Sequence, residues 1–390
     1  MICRRSTLAG RPVVTHKDRM RIYLDFNAST PVAPEVAAAM RAVLDAPFGN
    51  PSSDHWAGRP AREAVEKARA QVAHLLGCEP SEIVFTSGGS EANNHALKGI
   101  FFARPTAHFH IITTQVEHPA VINLCRFLER LGAKVIFLPV DAFGRVDPDD
   151  VRRTVTPATA LISVMHANNE VGTIQPIAEI SHIAREHGIV FHTDAAQSVG
   201  KIPTKVGDLG VDLLSVAGHK LYGPKGVGAL YVRSGIQLDP LIHGAGHEAG
   251  RRAGTENVLL DVGLGAACEL AESWIGSRST QKLRDLFWHR LTEEFDSSVI
   301  LNGHPTERLP NTLNVSFPGK VGAEILHALD GVAASTGSAC HSGSVELSPV
   351  LKAMRVPAEV GMGAIRFSLG RTTTKDEIET VVLRLKEILG

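Results

Sequence analysis

Cysteine is scarce in this chain of 390 residues, which contains only five and no CxxC pair. The five are odd in number and scattered along the chain, at Cys3, Cys78, Cys125, Cys268 and Cys340. A disulfide framework needs paired cysteines, and a zinc site needs closely spaced ligands. The pattern therefore argues against both and favours a reducing compartment, so we expect a cytoplasmic protein without a metal site.

The chain also lacks a charge surplus, a long apolar run and a signal sequence. Its formal net charge is −1, so no basic surface predicts binding to nucleic acid or to a membrane. No run approaches the roughly 18 apolar residues that a membrane span needs. Residues 1–21 include six Arg and Lys residues but no apolar signal core. We expect residues 1–20 to be a loose extension, with an organelle-targeting segment as the alternative.

Short apolar runs alternate with helical stretches through the first 275 residues. The predicted strands are 83–86, 109–113, 161–165, 189–192 and 213–216, and the predicted helices are 59–76, 120–131, 177–187 and 258–273. Strands that are apolar throughout and separated by helices indicate a mostly parallel sheet covered on both faces. The sequence therefore predicts an α/β fold.

The pattern changes after about residue 275. A charged helix at 281–295 is followed by alternating strands near 311–317 and 365–369 and by a terminal helix at 375–389. We interpret this part as a smaller α+β domain. The predicted organisation is a large domain at 31–275 and a small domain built from 21–30 plus 276–390.

One lysine stands just past the end of a predicted strand. The segment SVAGHKLYGPKGVGALYV, residues 215–232, places Lys220 in a turn between two apolar runs. Burial there would lower its pKa, and a neutral amine is the reagent that forms a Schiff base with an aldehyde. The alternative is a surface lysine in a hairpin turn.

Polar residues also follow four other predicted strands, where a parallel sheet places its ligands. The first strand runs into SGGSEANN, whose backbone N–H groups and Ser90 would seat a phosphate at the start of a helix; a capping box is the alternative. His118 follows the next strand and Asn169 the third, and both also suit purely structural roles. Asp194 ends the fourth, where it is either a helix cap or a buried carboxylate that needs a cation.

Taken together, these strand ends point to one cofactor. A phosphate seat, an aspartate for a protonated ring nitrogen and a lysine amine are what pyridoxal phosphate requires. No single one of these motifs is specific, but the three occur in order along successive strands. The sequence therefore predicts a site for pyridoxal 5'-phosphate.

The whole series of motifs resembles the pyridoxal-phosphate-dependent cysteine desulfurases of the NifS/IscS type, within the class V aminotransferase family. The resemblance extends from about residue 22 to residue 389. The motifs that carry it are YLDFNASTPV, GNPSS, FTSGGSEANN, EHPAV, NNEVG, HTDAAQSVGK, GHKLYGPKGVGALYV, RAGTENV, LPNTLNVSF, GSACHSG and IRFSLGR. It implies fold type I of the pyridoxal-phosphate enzymes, with a seven-stranded sheet in a large cofactor-binding domain.

The resemblance also implies roles for individual residues. Lys220 would hold the cofactor covalently, Asp194 would pair with the ring nitrogen, and Gln197 would contact the ring hydroxyl. His118 would stack on the ring and move protons, and Asn169 and Arg366 would hold the substrate carboxylate. The phosphate would be bound by Gly89, Ser90 and His219 and, from the neighbouring subunit of a homodimer, by Thr255.

Cys340 distinguishes desulfurases from ordinary transaminases in this resemblance. It lies in a segment of small polar residues, 335–344, which we expect to form a mobile loop because it cannot bury apolar surface. Cys340 would attack the sulfur of L-cysteine and carry it as a persulfide, while L-alanine is released. His341 next to it would favour the thiolate.

Several alternatives stay open at this point. A selenocysteine lyase shares the scaffold and the ACHS sequence, and a class V aminotransferase or a catalytically silent assembly scaffold is a more distant alternative. The acceptor of the sulfur is a scaffold protein for iron–sulfur clusters or a pathway that thiolates tRNA or cofactors. Ala217, Ala249 and Arg355 depart from the family pattern, and Ala217 removes a hydroxyl expected near the phosphate.

Overall fold

The structure is a computed structural model that describes residues 21–45, 48–104, 108–336 and 346–390. The strands in these ranges are β1 (Ile22–Tyr23), β2 (Ile83–Thr86), β3 (His110–Thr114), β4 (Lys134–Leu138), β5 (Thr159–Ser163), β6 (Val190–Asp194), β7 (Leu213–Ala217), β8 (Gly228–Val232), β9 (Ile300–Asn302), β10 (Thr312–Ser316), β11 (Val332–Ala333) and β12 (Ala364–Ser368). The helices are α1 (Pro34–Leu44), α2 (Arg59–Leu76), α3 (Gly89–Ala103), α4 (Pro119–Arg130), α5 (Pro148–Thr154), α6 (Ile177–Glu186), α7 (Val206–Leu209), α8 (Val258–Glu272), α9 (Ser279–Phe295), α10 (Gly322–Ala328), α11 (Pro349–Ala353), α12 (Ala358–Gly361) and α13 (Lys375–Leu389). No helix within these ranges is both long enough and apolar enough to cross a membrane.

The central sheet has seven strands in the order β2-β8-β7-β6-β5-β3-β4. Only β8 runs antiparallel to its neighbours, β2 and β7, and the other pairs are parallel. The predicted α/β class and mostly parallel seven-stranded sheet are therefore confirmed. Each strand and helix predicted from the sequence is present, with its ends displaced by no more than two residues.

Helices cover the central sheet on both faces because its buried strands are apolar on both sides. Alternate residues along each strand enter different cores, as the two-residue period of a strand requires. In β5, for example, Ile162 packs into a core with helices α2, α6 and α8, while Leu161 packs into a second core with α3 and α4. This arrangement leaves the ends of the strands free to carry polar residues.

A third core lies outside the central sheet and joins the two ends of the chain. Ile22 and Leu24 pack with residues of α9, α13, β10 and β12. Strand β1 pairs with β11, and β10 lies between β9 and β12 in an antiparallel sheet. The early segment is thereby held next to residues more than three hundred positions later.

We retain as a proposal the division into a domain of residues 31–275 and one of 21–30 plus 276–390. The separate core around Ile22 and Leu24 supports it. One segment of the proposed small domain packs with the large one. Val350 and Leu351 on α11, and Met354 directly after it, belong to the core of the large domain. The site described below is built from residues of both proposed parts.

Candidate active site

A cavity of about 420 Å³ opens at the carboxyl ends of the central strands. Nine residues predicted from the sequence line it: Gly89, Ser90, His118, Asn169, Asp194, Gln197, His219, Lys220 and Arg366. They come from six separate stretches of chain: five follow or end strands of the central sheet at the same edge, and Arg366 comes from β12 in the three-stranded sheet. The other lining residues are Asn27, Ala28, Asn93, Met165, Ala167, Ala196 and Ala217.

One end of the cavity is formed by the turn between β2 and α3. Gly88 has a φ of 147°, which disfavours residues with a side chain, and a Cβ atom on Gly89 would lie 3.2 Å from the Cβ of Ala217. The turn is tied down by Glu91, whose carboxylate accepts from the backbone N–H of Ser87 at 2.8 Å and from Arg252 at 2.9 Å. The first backbone N–H groups of α3 thus face a cavity free of side-chain bulk, as an anion seat requires.

Asp194 is the last residue of β6 and is only 6% exposed. Its Oδ2 accepts a hydrogen bond from the Nδ2 of Asn93 at 2.7 Å, and its Oδ1 accepts from the backbone N–H of Ala196 at 2.9 Å. The second contact closes a local turn, and no helix begins there, so Asp194 is not the helix cap that was one of the two interpretations from sequence. Both donors are uncharged, so a cationic group in the cavity would complete the site of this carboxylate.

Lys220 lies in a short 3-10 turn, Gly218–Lys220, that follows β7 directly. Its Nζ donates to two backbone carbonyl oxygens, of Asn27 at 2.6 Å and of Ala28 at 2.8 Å. Burial and then the positive charge of Arg366 lower the pKa of Lys220 to about 8, while Asp25 and Asp194 act in the opposite direction. A neutral amine is therefore accessible near neutral pH, which is the form that attacks an aldehyde.

His118 caps α4 and lines the cavity at the same time. Its Nδ1 accepts a hydrogen bond from the backbone N–H of Ala120 at 3.1 Å. In the neutral ring the proton is therefore on Nε2. Burial lowers the pKa of His118, although the nearby carboxylate of Asp194 acts to raise it.

His219, which precedes Lys220, is also neutral in this site. Burial is the main reason that its pKa falls to about 4, and the charge of Lys220 adds to the effect. Its Nδ1 lies 3.4 Å from the Oγ of Ser29. Toward a phosphate it would act as a hydrogen-bond donor and not as a cation.

At the other end of the cavity, the guanidinium of Arg366 on β12 already makes two hydrogen bonds within the protein. Its guanidinium donates to Oδ1 of Asp25 at 2.7 Å and to the backbone oxygen of Asn169 at 2.9 Å. The two contacts fix the plane of the guanidinium. Its remaining N–H groups are available to a carboxylate in the cavity.

Three further residues of the site were not predicted from the sequence. Asn27 accepts from Lys220, Asn93 donates to Asp194, and Asp25 pairs with Arg366. Asn93 lies in the SGGSEANN motif, one turn of helix beyond Ser90, and its position could have indicated it. Asn27 and Asp25 lie in YLDFNASTPV, far from their partners in sequence.

One predicted site residue that the structure describes, Thr255, lies outside this cavity. Thr255 lines a separate cavity of about 180 Å³ with Glu248 and Asp261, so its assigned contact across a subunit interface stays a prediction. Cys340 and His341 fall outside the described residues. Of the three departures from the family pattern, Ala217 lines the catalytic cavity, whereas Ala249 and Arg355 do not.

The residues that line the cavity fit pyridoxal phosphate. The bare turn at Gly88 and Gly89 suits its phosphate, the buried carboxylate of Asp194 suits a protonated ring nitrogen, and the amine of Lys220 suits its aldehyde. The three groups belong to a single cavity. A lysine or an aspartate alone would not indicate this cofactor; the three groups together do.

Comparison with known proteins gives a consistent result. A family model described as "Aminotransferase class-V" matches residues 22–381. A cysteine desulfurase IscS of Dictyoglomus turgidum is 51% identical over 375 residues, which are 95% of each chain. A solved structure of a NifS-like protein superposes with a TM-score of 0.89 at 38% identity, covering 95% of this chain and 99% of that one. A structure of SspA in complex with cysteine superposes with a TM-score of 0.81 at 40% identity, covering 89% and 98%.

Proposed function

This chain belongs to the aminotransferase class-V family, and from that membership and the cavity we infer that it is a pyridoxal-phosphate-dependent cysteine desulfurase. It acts on L-cysteine. The observation that carries this function is the convergence of Lys220, Asp194 and Arg366 on one cavity, in a chain similar over nearly its whole length to cysteine desulfurases.

We propose that the cofactor is held by the residues around the turn before α3 and by Asp194. Gly89, Ser90 and His219 would bind its phosphate, Gln197 its ring hydroxyl and Lys220 its aldehyde carbon. When bound, pyridoxal phosphate supplies the carbon that takes up the substrate amine and the conjugated ring that accepts electron density from Cα. Asp194 keeps the ring nitrogen protonated, because a buried carboxylate favours a cation beside it.

Lys220 and Arg366 have different roles toward the substrate: Arg366 binds its carboxylate and Lys220 accepts its Cα proton. Arg366, oriented by Asp25 and Asn169, binds the carboxylate of cysteine and so positions its Cα relative to the amine of Lys220. Lys220, once free and neutral, takes the Cα proton, for which its lowered pKa suits it. His118 presents Nε2–H toward the cavity and would return a proton to the product.

Cys340 is the proposed sulfur acceptor, although it lies outside the described residues. Its thiolate attacks the sulfur of the bound cysteine, so that a sulfur–sulfur bond forms as the bond from Cβ to sulfur breaks. The electron pair of the broken bond stays on the three-carbon fragment, which takes up a proton and leaves as alanine. The enzyme keeps the sulfur as a persulfide on Cys340.

We further propose the setting in which this reaction takes place. The chain would act as a homodimer in which Thr255 completes the phosphate site of the partner. Its persulfide would be delivered to a scaffold protein for iron–sulfur clusters or to a pathway that thiolates tRNA or cofactors. A cytoplasmic location suits this chemistry, because Cys78, Cys125 and Cys268 are free thiols.

Trapping of the persulfide tests the proposed function directly. The holoenzyme is incubated with L-cysteine and then alkylated, and the mass of the peptide that contains Cys340 is measured. We expect one added sulfur on Cys340 and alanine in the supernatant. The Cys340→Ala variant should bind the cofactor normally and form no alanine; alanine formation at the normal rate from that variant would disprove the role of Cys340.

A further inference from the structure

Lys201 is a lysine that the reaction described above does not use. It lies four residues beyond Gln197, and its side chain lines a second cavity of about 260 Å³ on the side of the catalytic residues that faces α9. Its amine does not reach the catalytic cavity itself. It contacts two residues that do, Gln197 and Asn27.

We propose that Lys201 is a positioning residue that orients the side-chain amide of Gln197 toward the cofactor and helps to hold Asn27, whose backbone oxygen accepts from Lys220. The proposal rests on the proposed function, because it concerns the same cofactor site. It assigns a role to a side chain that touches neither cofactor nor substrate.

The contact with Gln197 determines which end of its amide faces the cavity. The Nζ of Lys201 lies 2.8 Å from Oε1 of Gln197, and only a donor can make that bond with a carbonyl oxygen. The Nε2 end then points the other way and donates to the backbone oxygen of Asn27 at 2.9 Å. Nε2 carries a second N–H, so Gln197 approaches the cavity as a donor, which suits a ring oxygen that bears negative charge.

The contact with Asn27 reaches Lys220. Lys201 donates to Oδ1 of Asn27 at 3.1 Å, and the Nδ2 of the same side chain donates to Thr312 Oγ1 at 2.8 Å. The side chain of Asn27 is therefore held at both ends, and Asn311 is a second donor to its Oδ1 at 3.0 Å. The backbone oxygen of Asn27 accepts from the Nζ of Lys220 at 2.6 Å, so Lys201 helps to position the residue that receives the catalytic amine.

The surroundings of Lys201 favour this donor role over an ion-pairing role. The groups that face it are the amides of Gln197 and Asn27 and the cations Lys220 and Arg366, and Arg371 lines the same second cavity. Burial first, and then the charges of Lys220 and Arg366, lower the pKa of Lys201 well below its ordinary value. The amine of Lys201 has an N–H donor for each of the two amide oxygens that it contacts.

The test compares Lys201→Met, which removes the donors, with Lys201→Arg, which keeps them and has room in the adjoining cavity. The main readout is the midpoint of the pH titration of the visible absorption band of each holoenzyme, measured without substrate. In Lys201→Met, Gln197 is free to turn its oxygen to the cavity, so the midpoint should rise by about 0.5 to 1 and cofactor binding should weaken ~3–10-fold. Lys201→Arg should restore both values. Lys205→Met, four residues further along, is the control and should change neither.

An unchanged midpoint in Lys201→Met would overturn the proposal, and so would weaker cofactor binding with an unchanged midpoint, since that combination indicates a structural role only. If Lys201→Met does not fold, Lys201→Gln decides the question: its shorter side chain should raise the midpoint in the same direction by a smaller amount, and an unchanged midpoint again overturns the proposal. The band is read without cysteine, whereas the proposed function is tested by alanine formation in the wild-type enzyme. The two can therefore fail separately.

Discussion

The guanidinium of Arg366 lies 2.7 Å from the carboxylate Oδ1 of Asp25, a residue 341 positions earlier in the chain. The arginine side chain is 7% exposed and the aspartate 21% exposed, so the pair is largely shielded from water. Since Arg366 also donates to the backbone oxygen of Asn169, its plane is set before any substrate enters. The pair therefore prepares a carboxylate site in advance.

The Asp25→Ala variant should bind cysteine less well. Arg366 would lose one of the two acceptors that orient it, so we expect KM for cysteine to rise ~10-fold while kcat changes less than ~3-fold. Steady-state kinetics of alanine formation give both values. Asp54→Ala is the matched control, because Asp54 also pairs with an arginine but is exposed. A lower KM in Asp25→Ala would mean that Asp25 competes with the substrate carboxylate.

Lys220 should titrate far below an ordinary lysine in the apoprotein. Because burial lowers its pKa to about 8, the neutral amine predominates above that pH, whereas a free lysine needs a pH above ~10.4. The rate at which Lys220 is acylated, followed by mass spectrometry against a blocked lysine peptide, should have its midpoint near 8. Arg366→Leu should move the midpoint upward, since the charge of Arg366 lowers this pKa. A midpoint near 10 in the wild-type apoprotein would contradict the assignment.

The Ala217→Ser variant should bind the cofactor more tightly. Ala217 lines the cavity beside Gly89, where a hydroxyl can donate to a phosphate at the start of α3. One added hydrogen bond to a charged group corresponds to ~10–150-fold in the dissociation constant. Equilibrium dialysis of pyridoxal phosphate measures it, with Ala328→Ser on the exposed surface of α10 as the control. An unchanged or weaker affinity would show that the phosphate does not lie beside Ala217.

The Gly228→Ala variant should displace the turn at Gly88, which forms one end of the cofactor cavity. An added Cβ on Gly228 would lie 2.4 Å from the backbone oxygen of Val216 and 2.8 Å from the Cα of Gly88. Both are backbone atoms that cannot rotate away, so β8 and the turn at Gly88 must separate. We expect a loss of ~1–3 kcal/mol in the free energy of unfolding and weaker cofactor binding.

Gly207→Ala gives the matched comparison for that variant. It lies in the short helix α7, and an added Cβ would meet no atom within 4 Å. Its free energy of unfolding, measured by denaturant titration, should stay the same or rise by up to ~1 kcal/mol. Equal losses in the two glycine variants would rule out the close approach of Gly228 to Gly88 as the cause.

Much of this site could be predicted from the sequence because its chemistry is tied to the ends of strands. Asp194 and Lys220 follow apolar runs directly, and the register of a parallel sheet places such residues together. Strand β4 was not predicted, since it is an edge strand followed by Pro139 and Val140 rather than by polar residues. It contributes no residue to the cavity.

The supporting contacts could not be predicted, because they join parts of the chain that no local pattern relates. The oxygen of Asn27 meets Lys220 across 193 residues, and Asp25 meets Arg366 across 341. Lys201 ends the motif HTDAAQSVGK, but its position there after a glycine assigns it no role. The role of Lys201 depends on which oxygen atoms the fold places next to its amine.

Among the residues that the structure describes, strand β1 pairs with β11 alone, and the segment that follows β1 completes the cavity together with β12. During protein synthesis β1 can therefore form its strand pairing after β11, in the last quarter of the chain, has emerged from the ribosome, and not before. The residues proposed to hold the cofactor all precede β12, whereas Arg366 lies on it. Nascent chains that stop before β12 should therefore lack the site for the substrate carboxylate, even where the cofactor site has formed.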